Sequence, residues 1–490
     1  MKLRPIQTQA LDSIIESFKA GGTYHLVNAP VSFGKTILAS ALMHTSSTKY
    51  GAKCLFLAHL RELVVQTVDK FKEVAPGLSC GVFMGTTKEE ADILVGTRQT
   101  VEKNLDVMGA FNLVIVDECH LWNKSYQRIV DHLLTLNPRL RVLGVTGTPF
   151  NGKGWIYGDG KRWPEPCFST TIDQMIGLGY LSPFRYKVAD STDLRADLTQ
   201  VEIANGDFKE KQLGELMAED RHIGSVSEAI KEHCEGRKRI MVFAVTIDHA
   251  EILASHLGCE CVHSKLKKDI WRKRVDDFKA GRVRILVNVS QLSVGFDCPE
   301  VDALIQARPT CSTALSVQIC GRSLRICEGK KDALIIDLCG NYARNGLPNN
   351  PRVYPEAKDE REAKEAEARA QVCHECLEVV EGPDLICPFC GAEMNAKAEM
   401  NEINEKLRLE EIETKRKAPK FIRWGFKDHV TKTGAVGVMF WLHVTNRSKP
   451  LFRFCGEGTK KLNRTIDQLK VIREGDIVEI TRTAYGDWIA

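Results

Sequence analysis

Long hydrophobic runs are missing from this 490-residue chain. No stretch of about 18 apolar residues appears, which argues against a membrane-spanning helix. The opening residues, Met1-Lys2-Leu3-Arg4-Pro5, hold no apolar signal core, so secretion is not expected. Long repeats and low-complexity tracts are also missing, which removes repeat architectures. Cysteine, by contrast, is plentiful at 17 residues. Most are scattered singly in apolar stretches, as Cys54 is, where a reduced thiol acts as a small hydrophobe. A reducing, cytoplasmic compartment fits that usage better than disulfides do. The apolar share of 43% and charged share of 27% are those of an ordinary globular protein. The length is too great for one core, so two to four domains are expected.

The net charge of +4 conceals an asymmetry. Residues 415–490 hold 16 Lys and Arg against 7 Asp and Glu, a net +9, while the remaining chain carries −5. A basic tail on a mildly acidic body suggests a contact surface for an anionic partner.

Residues 1–184 alternate short apolar strands with helical patterns. The expected strands are Tyr24–Asn28, Lys53–Ala58, Ala91–Gly96, Leu113–Val116 and Val142–Val145. Residues 185–350 repeat the pattern, with strands expected at Arg239–Ala244, Arg284–Asn288, Val301–Ile305 and Ala333–Leu338. Such alternation is the mark of α/β lobes built on parallel sheets. A charged connector over 351–372, a cysteine cluster over 373–394 and a charged helical linker over 395–417 follow. The last segment, 418–490, alternates Val, Phe, Trp and Thr with turn residues and reads as a small β-rich domain, a barrel or a sandwich.

Strand Tyr24–Asn28 runs into Ala29-Pro30-Val31-Ser32-Phe33-Gly34-Lys35-Thr36, followed by a helical pattern. Strand, loop and helix N-terminus is the setting of a phosphate-binding loop. Backbone N–H groups of the loop and the helix dipole meet phosphate, Lys35 reaches the β and γ oxygens, and Thr36 offers a hydroxyl to Mg²⁺. Ser32 stands where glycine is common, an awkward choice if that position needs positive φ. Asp117-Glu118-Cys119-His120 ends another apolar strand. Asp117 would hold Mg²⁺ through water, and Glu118 would orient and deprotonate an attacking water. Arg4 and Gln7 precede the first helix, and a Gln amide can pair with the edge of adenine.

In the second half, Gln318-Ile319-Cys320-Gly321-Arg322-Ser323-Leu324-Arg325 spaces two arginines three apart, as though on one helix face. Arg322 and Arg325 could then reach a γ-phosphate across a cleft, beside Gln318. Gly295 would make a tight turn, and Asp297 could accept from ribose hydroxyls. Thr146 and Thr148, closing a strand of the first half, could relay nucleotide state to the second.

In this order the motifs resemble a superfamily 2 helicase core of the DExH type over roughly residues 1–345. The resemblance implies two RecA-like lobes, an ATPase using ATP and Mg²⁺, and nucleic-acid contacts by His59 and Arg61 in Ala58–Leu63 and by Thr97 and Arg98 in Val95–Thr100. Gly179–Pro183, Gly295–Asp302, Arg308-Pro309-Thr310 and Asp337–Asn341 are similar to the bacterial RadD family of DNA-repair helicase-like ATPases, including a phage version. That likeness implies DNA, single-stranded or branched, as partner, work in repair, recombination or replication, and a bacterial or phage-infected cell as setting.

Cys373-x2-Cys376-x10-Cys387-x2-Cys390 has the spacing of a tetrahedral Zn²⁺ site with all four positions filled, hence a structural one. His374 is an alternative ligand but out of phase. The module either docks on the motor, binds DNA or binds a protein of the repair or replication machinery. The tail's aromatic residues, among them Trp424, Phe426, Trp441 and Trp488, serve either its core or base stacking. The segment 151–163, with Trp155 and Trp163, is either a duplex-touching loop or a surface loop. Beside a DNA motor stand two other readings: an RNA helicase with the same core, and a nucleotide-gated recruitment platform.

Overall fold

The structure is a computed structural model that describes residues 3–59, 61–75, 79–151, 154–189, 194, 197–204, 206–289, 298–350, 370–381 and 386–394, with five strands of the C-terminal region. Residues 1–394 and 395–490 form two separate compact units.

Among the described residues the first lobe holds ten strands: β1 (Tyr24–Asn28), β2 (Cys54–Ala58), β3 (Cys80–Met84), β4 (Thr87–Lys88), β5 (Ile93–Thr97), β6 (Leu113–Asp117), β7 (Arg141–Thr146), β8 (Phe150–Asn151), β9 (Gly154–Trp155) and β10 (Phe168–Ser169). Eight of them form one sheet in the order β10-β1-β7-β6-β2-β5-β3-β4. Every pairing but β3 with β4 is parallel. Strands β2, β5 and β6 are buried along their whole length. Apolar residues therefore run continuously rather than alternating, because helices cover both faces. Val27, Ile115, Val95 and Leu143 meet Leu38, Leu42 and Phe71 of the covering helices in one core.

The second lobe begins at β11 (Phe184–Val188), passes a hairpin of β12 (Ile203–Ala204) and β13 (Asp207–Phe208), and continues with β14 (Ile240–Ala244), β15 (Glu260–Val262), β16 (Ile285–Val289), β17 (Ala303–Gln306) and β18 (Ala333–Asp337). Its six-stranded sheet, ordered β11-β18-β17-β14-β16-β15, is wholly parallel. Local signals fix its helices. The Thr246 hydroxyl accepts from His249 N–H at the start of Ile247–Leu257, and Gly258 ends that helix in the left-handed region. Both lobes are thus RecA-like parallel-sheet units. The expected strands are present within one or two residues, and β3, β10, β11 and β15 are additions.

Two details of the expected layout change. Arg322 and Arg325 do not lie on a helix. The helix Thr313–Cys320 stops before them; Arg322 lies in the turn that follows, and Arg325 lies just beyond it, bridged to Leu181. Trp163 is no duplex-touching residue either: it is 1% exposed, and its ring fills the space over Gly144, where a Cβ would lie 2.7 Å away.

After the second lobe, β19 (Ala370–Val372) pairs with β20 (Val379–Glu381) to open the cysteine module. In the C-terminal unit, Phe421–Val430, Val436–Val444 and Leu451–Gly456 form a three-stranded antiparallel sheet, and Ile480–Thr483 pairs with Gly486–Ile489. The connectors 351–369 and 395–420, and the roles assigned to the tail's aromatic side chains, lie outside the described residues.

Candidate active site between the lobes

Parallel strands deliver their C-terminal ends to one edge of a sheet, and loops there form the usual ligand site of α/β folds. In the first lobe, register places Asn28 beside Thr146, Val145 beside Asp117, and Ala58 beside Thr97. The phosphate loop after β1, Thr146 ending β7 and Asp117 ending β6 therefore share an edge. His59 and Arg61 after β2, and Thr97 and Arg98 at β5, continue the same edge.

The loop is clamped from within. Phe33 is fully buried and packs on Phe168 at 5.8 Å between ring centroids. Gln7, buried in the first helix, donates through Nε2 to the Phe33 carbonyl at 2.9 Å and accepts the Arg4 backbone N–H at 2.9 Å. Its amide thus holds the loop as well as lying near it. Gly34 sits at φ 91°, and a Cβ there would meet Gln7 Nε2 at 2.5 Å. Ser32 adopts φ 66° without being glycine, a conformation that costs roughly 1–2 kcal/mol. Lys35 and Thr36 open the helix Lys35–Tyr50, so the helix N-terminus faces the loop. Arg4 stacks over the Tyr180 ring at 5.0 Å, and Pro30 is buried against Gly147, where a Cβ would be 3.2 Å from the proline carbonyl carbon and from Lys35 Nζ.

Lys35 Nζ donates to the Ala29 carbonyl at 3.3 Å and lies 3.9 Å from Glu118 Oε1. Glu118, at φ 47°, turns its carboxylate toward His120 Nδ1 at 3.3 Å. His120 meets the Thr146 hydroxyl at 2.9 Å and the Thr148 hydroxyl at 3.2 Å. The Thr148 backbone N–H donates to Thr146 Oγ1 at 3.0 Å. Burial, then the neighbouring Glu118 charge, pushes the Asp117 carboxyl well above the usual carboxylate range. Burial presses Glu118 the same way, but Lys35 and His120 oppose it and hold that carboxyl below its usual range. His120 was not singled out from sequence as a site residue. Its signal was its position two residues after the acid pair, and its role as a bridge to Thr146 needed the fold.

Lobe two closes the site. Arg325 Nε donates to Ser32 Oγ at 3.0 Å across the cleft. Gly321 packs so tightly on Val31 that a Cβ there would lie 2.0 Å from Val31 Cγ2. Arg322 is partly buried in the same turn, and Gln318 is in the last turn of the preceding helix. Gly295 and Asp297 lie outside the described residues. Along the edge, Thr97 Oγ1 meets Thr100 Oγ1 at 2.8 Å, and Arg98 donates to Asn123 Oδ1 at 3.3 Å over the Tyr126 ring. Arg61 lies beside Gly85. Burial lowers the His59 imidazole below its ordinary value.

The four cysteines converge. Cys373, Cys376, Cys387 and Cys390 bring their sulfurs within 4.8 Å of one another. Two pairs stand 3.6 and 3.7 Å apart. Zn–S bonds of about 2.3 Å set tetrahedral edges of about 3.8 Å, so the cluster fits Zn²⁺. Leu377 and Gly391, each directly after the second cysteine of its pair, both take positive φ. The module rests on the second lobe. Lys187 Nζ donates to the Cys376 carbonyl at 2.7 Å, Val188 N–H donates to the Leu377 carbonyl at 3.0 Å, and the fully buried Glu378 pairs with Arg185 at 2.5 Å. These contacts join residues 189 to 193 positions apart, beyond any local sequence signal.

Comparison with known proteins places these parts in a wider set. Residues 1–151 match the family described as Type III restriction enzyme, res subunit, and residues 223–327 match the helicase conserved C-terminal domain. A 51.5 kDa protein of a Lactococcus phage is 28% identical over 396 residues, 79% of this chain and 80% of its own length. The putative mitochondrial ATP-dependent helicase irc3 of Schizosaccharomyces pombe is 28% identical over 380 residues, 74% of this chain and 61% of its own. In fold, the chain is similar to the DNA-bound ATP-dependent Type ISP restriction-modification enzyme LlaBIII, with a TM-score of 0.52 at 18% identity, over 73% of this chain and 28% of that one. Among the described residues no helix is long and apolar enough to cross a membrane. With a phosphate loop, an acid pair and an arginine turn meeting in one cleft under these two family matches, the chain carries the ATP-dependent core of a superfamily 2 helicase.

Proposed function

We propose that this chain is a DNA-tracking motor that couples ATP hydrolysis in the cleft to movement along one strand. The bond from Arg325 to Ser32 carries the reading, because it ties the second lobe to the loop that holds phosphate in the first. Backbone N–H groups of Phe33–Thr36 and Lys35 Nζ bind the phosphates. Thr36 and Asp117 would hold Mg²⁺, which would supply positive charge to offset the phosphates. As Lys35 turns to phosphate, Glu118 loses the partner that lowers it and becomes a better acceptor for the water's proton. Arg322 and Arg325, with Gln318 behind them, stabilise charge that grows in transfer. Arg4 and Gln7 frame the base, and Gly295 and Asp297 serve the ribose. His120, Thr146 and Thr148 report the nucleotide's state along the sheet edge to His59, Arg61, Thr97 and Arg98, which hold strand phosphates.

DNA is favoured as track by the DNA-bound relative in fold, by the basic tail and by the RadD-like motifs, which also favour repair, recombination or replication. The four-cysteine module, holding Zn²⁺, and the tail are the places for a protein partner. The test is ATP hydrolysis with no nucleic acid, single-stranded, forked or duplex DNA, and RNA at matched salt. Strong stimulation by one DNA form supports the proposal. Equal stimulation by RNA replaces the track, and indifference to all of them replaces the motor with a partner-gated platform.

A further inference from the structure

The arginine turn has no helix to hold it, so something else fixes its direction. On one side, Ser182 N–H donates to the Leu324 carbonyl at 2.8 Å and Leu181 bridges Arg325. On the other side stands Lys330. Its ammonium donates to the carbonyls of Ser323 at 2.5 Å, Arg325 at 2.8 Å and Pro299 at 3.2 Å. An ammonium has three donors and no acceptor, and here all three go to main-chain carbonyls. Two of those carbonyls belong to the turn, and the third belongs to the segment leading into β17.

We propose that Lys330 is a positioning residue for ATP hydrolysis: it staples the Ser323–Arg325 turn to the Pro299 segment and so aims Arg325 at the phosphate loop. Charge-assisted bonds of this kind are about twice as strong as neutral ones. They add to the turn's own main-chain bonds, from Arg322 N–H to the Ile319 carbonyl and from Leu324 N–H to the Gly321 carbonyl. Arg325 then reaches Ser32 with its backbone already fixed, and little ordering is left for the moment of hydrolysis. The inference rests on the proposed role of Arg325 in the cleft.

The test is steady-state ATP hydrolysis by the full chain carrying Lys330→Met, Lys330→Arg, Arg325→Ala or both Lys330→Met and Arg325→Ala. Misplacement by about 1 Å can cost about 10²-fold, so Lys330→Met is expected to lower kcat about 10- to 100-fold. The KM for ATP should move less than about 3-fold, since the loss falls on the transition state. Lys330→Arg should recover part of the loss. The double variant should be no slower than Arg325→Ala alone, because the lysine acts through the arginine. If Lys330→Met does not fold, Lys330→Gln, whose amide keeps two donors, is expected to show the same split. Wild-type kcat in the folded variant overturns the proposal, as does a loss that adds in full to that of Arg325→Ala. Wild-type turnover in Arg325→Ala itself overturns the role of the cleft arginine instead.

Discussion

The two lobes bring their parts to the cleft in unlike ways. In the first, Lys35, Asp117, Glu118 and Thr146 sit at or just after the ends of neighbouring strands, mostly buried and already within about one hydrogen bond of each other or of His120. In the second, Arg325 arrives just beyond a short turn that follows a helix, and it reaches the phosphate loop of the first lobe at Ser32. A rigid edge suits chemistry that needs fixed distances. A tethered turn suits a contact that must form and break as lobes move. The difference suggests that the first lobe binds nucleotide by itself and that the second decides when it is hydrolysed.

The largest effect should come from breaking the rigid side. Glu118→Gln is expected to lower turnover by up to about 10⁴-fold while leaving nucleotide binding intact; Lys35→Ala should lose both. Paired kcat and equilibrium-binding measurements check this, and hydrolysis surviving both changes would remove the site. Next comes the tethered side. Arg325→Ala should cost about 10³-fold in kcat with binding unchanged. A large loss of nucleotide affinity would erase the contrast between the lobes. A third effect is on stability. Glu378 is fully buried between Arg185 and Lys187, and removing one member of such a pair costs about 3–5 kcal/mol. Calorimetry of Glu378→Ala or Cys387→Ser should show the second lobe's transition lowered and the first lobe's unmoved, with zinc lost in the cysteine variant.

The smallest effect sharpens the contrast by pH. His249 of the second lobe is wholly buried, and burial lowers its imidazole to about 3. Its Nδ1 accepts the Val245 backbone N–H at 3.2 Å, which the neutral ring can do. The unfolded chain takes up a proton as pH falls through about 6.5, and the folded chain does not. Stability present at neutral pH is therefore lost progressively between about 6.5 and 3. His249→Asn, which keeps an acceptor for Val245, should flatten that slope in urea melts of the second lobe. An unchanged slope would place the acid sensitivity elsewhere.

Strands and motif positions were legible because both are local. Continuous apolar runs such as Leu113–Val116 announce buried parallel strands, and the motifs follow their ends. Ser32 was legible as an oddity, and its φ of 66° is the strain that its position implied. Other features depended on distant partners. The Gln7 amide clamps Phe33, 26 residues away, and Arg185 pairs with Glu378, 193 residues away. No window of sequence contains such pairs. The arginines were misplaced on a helix because spacing of three looks helical, whereas the segment leaves the helix at Cys320.

The docking of the cysteine module has a consequence for how this protein keeps to itself. Strand β11 is the outermost of its sheet, and Val188 N–H and Lys187 would present an open row of backbone partners if Leu377 and Glu378 did not lie against them. Open strand edges recruit other chains into intermolecular sheets. Whatever unfolds the module therefore uncovers a template for self-association, and the four cysteines act, through a cover of only a few residues, as a guard against aggregation of the motor.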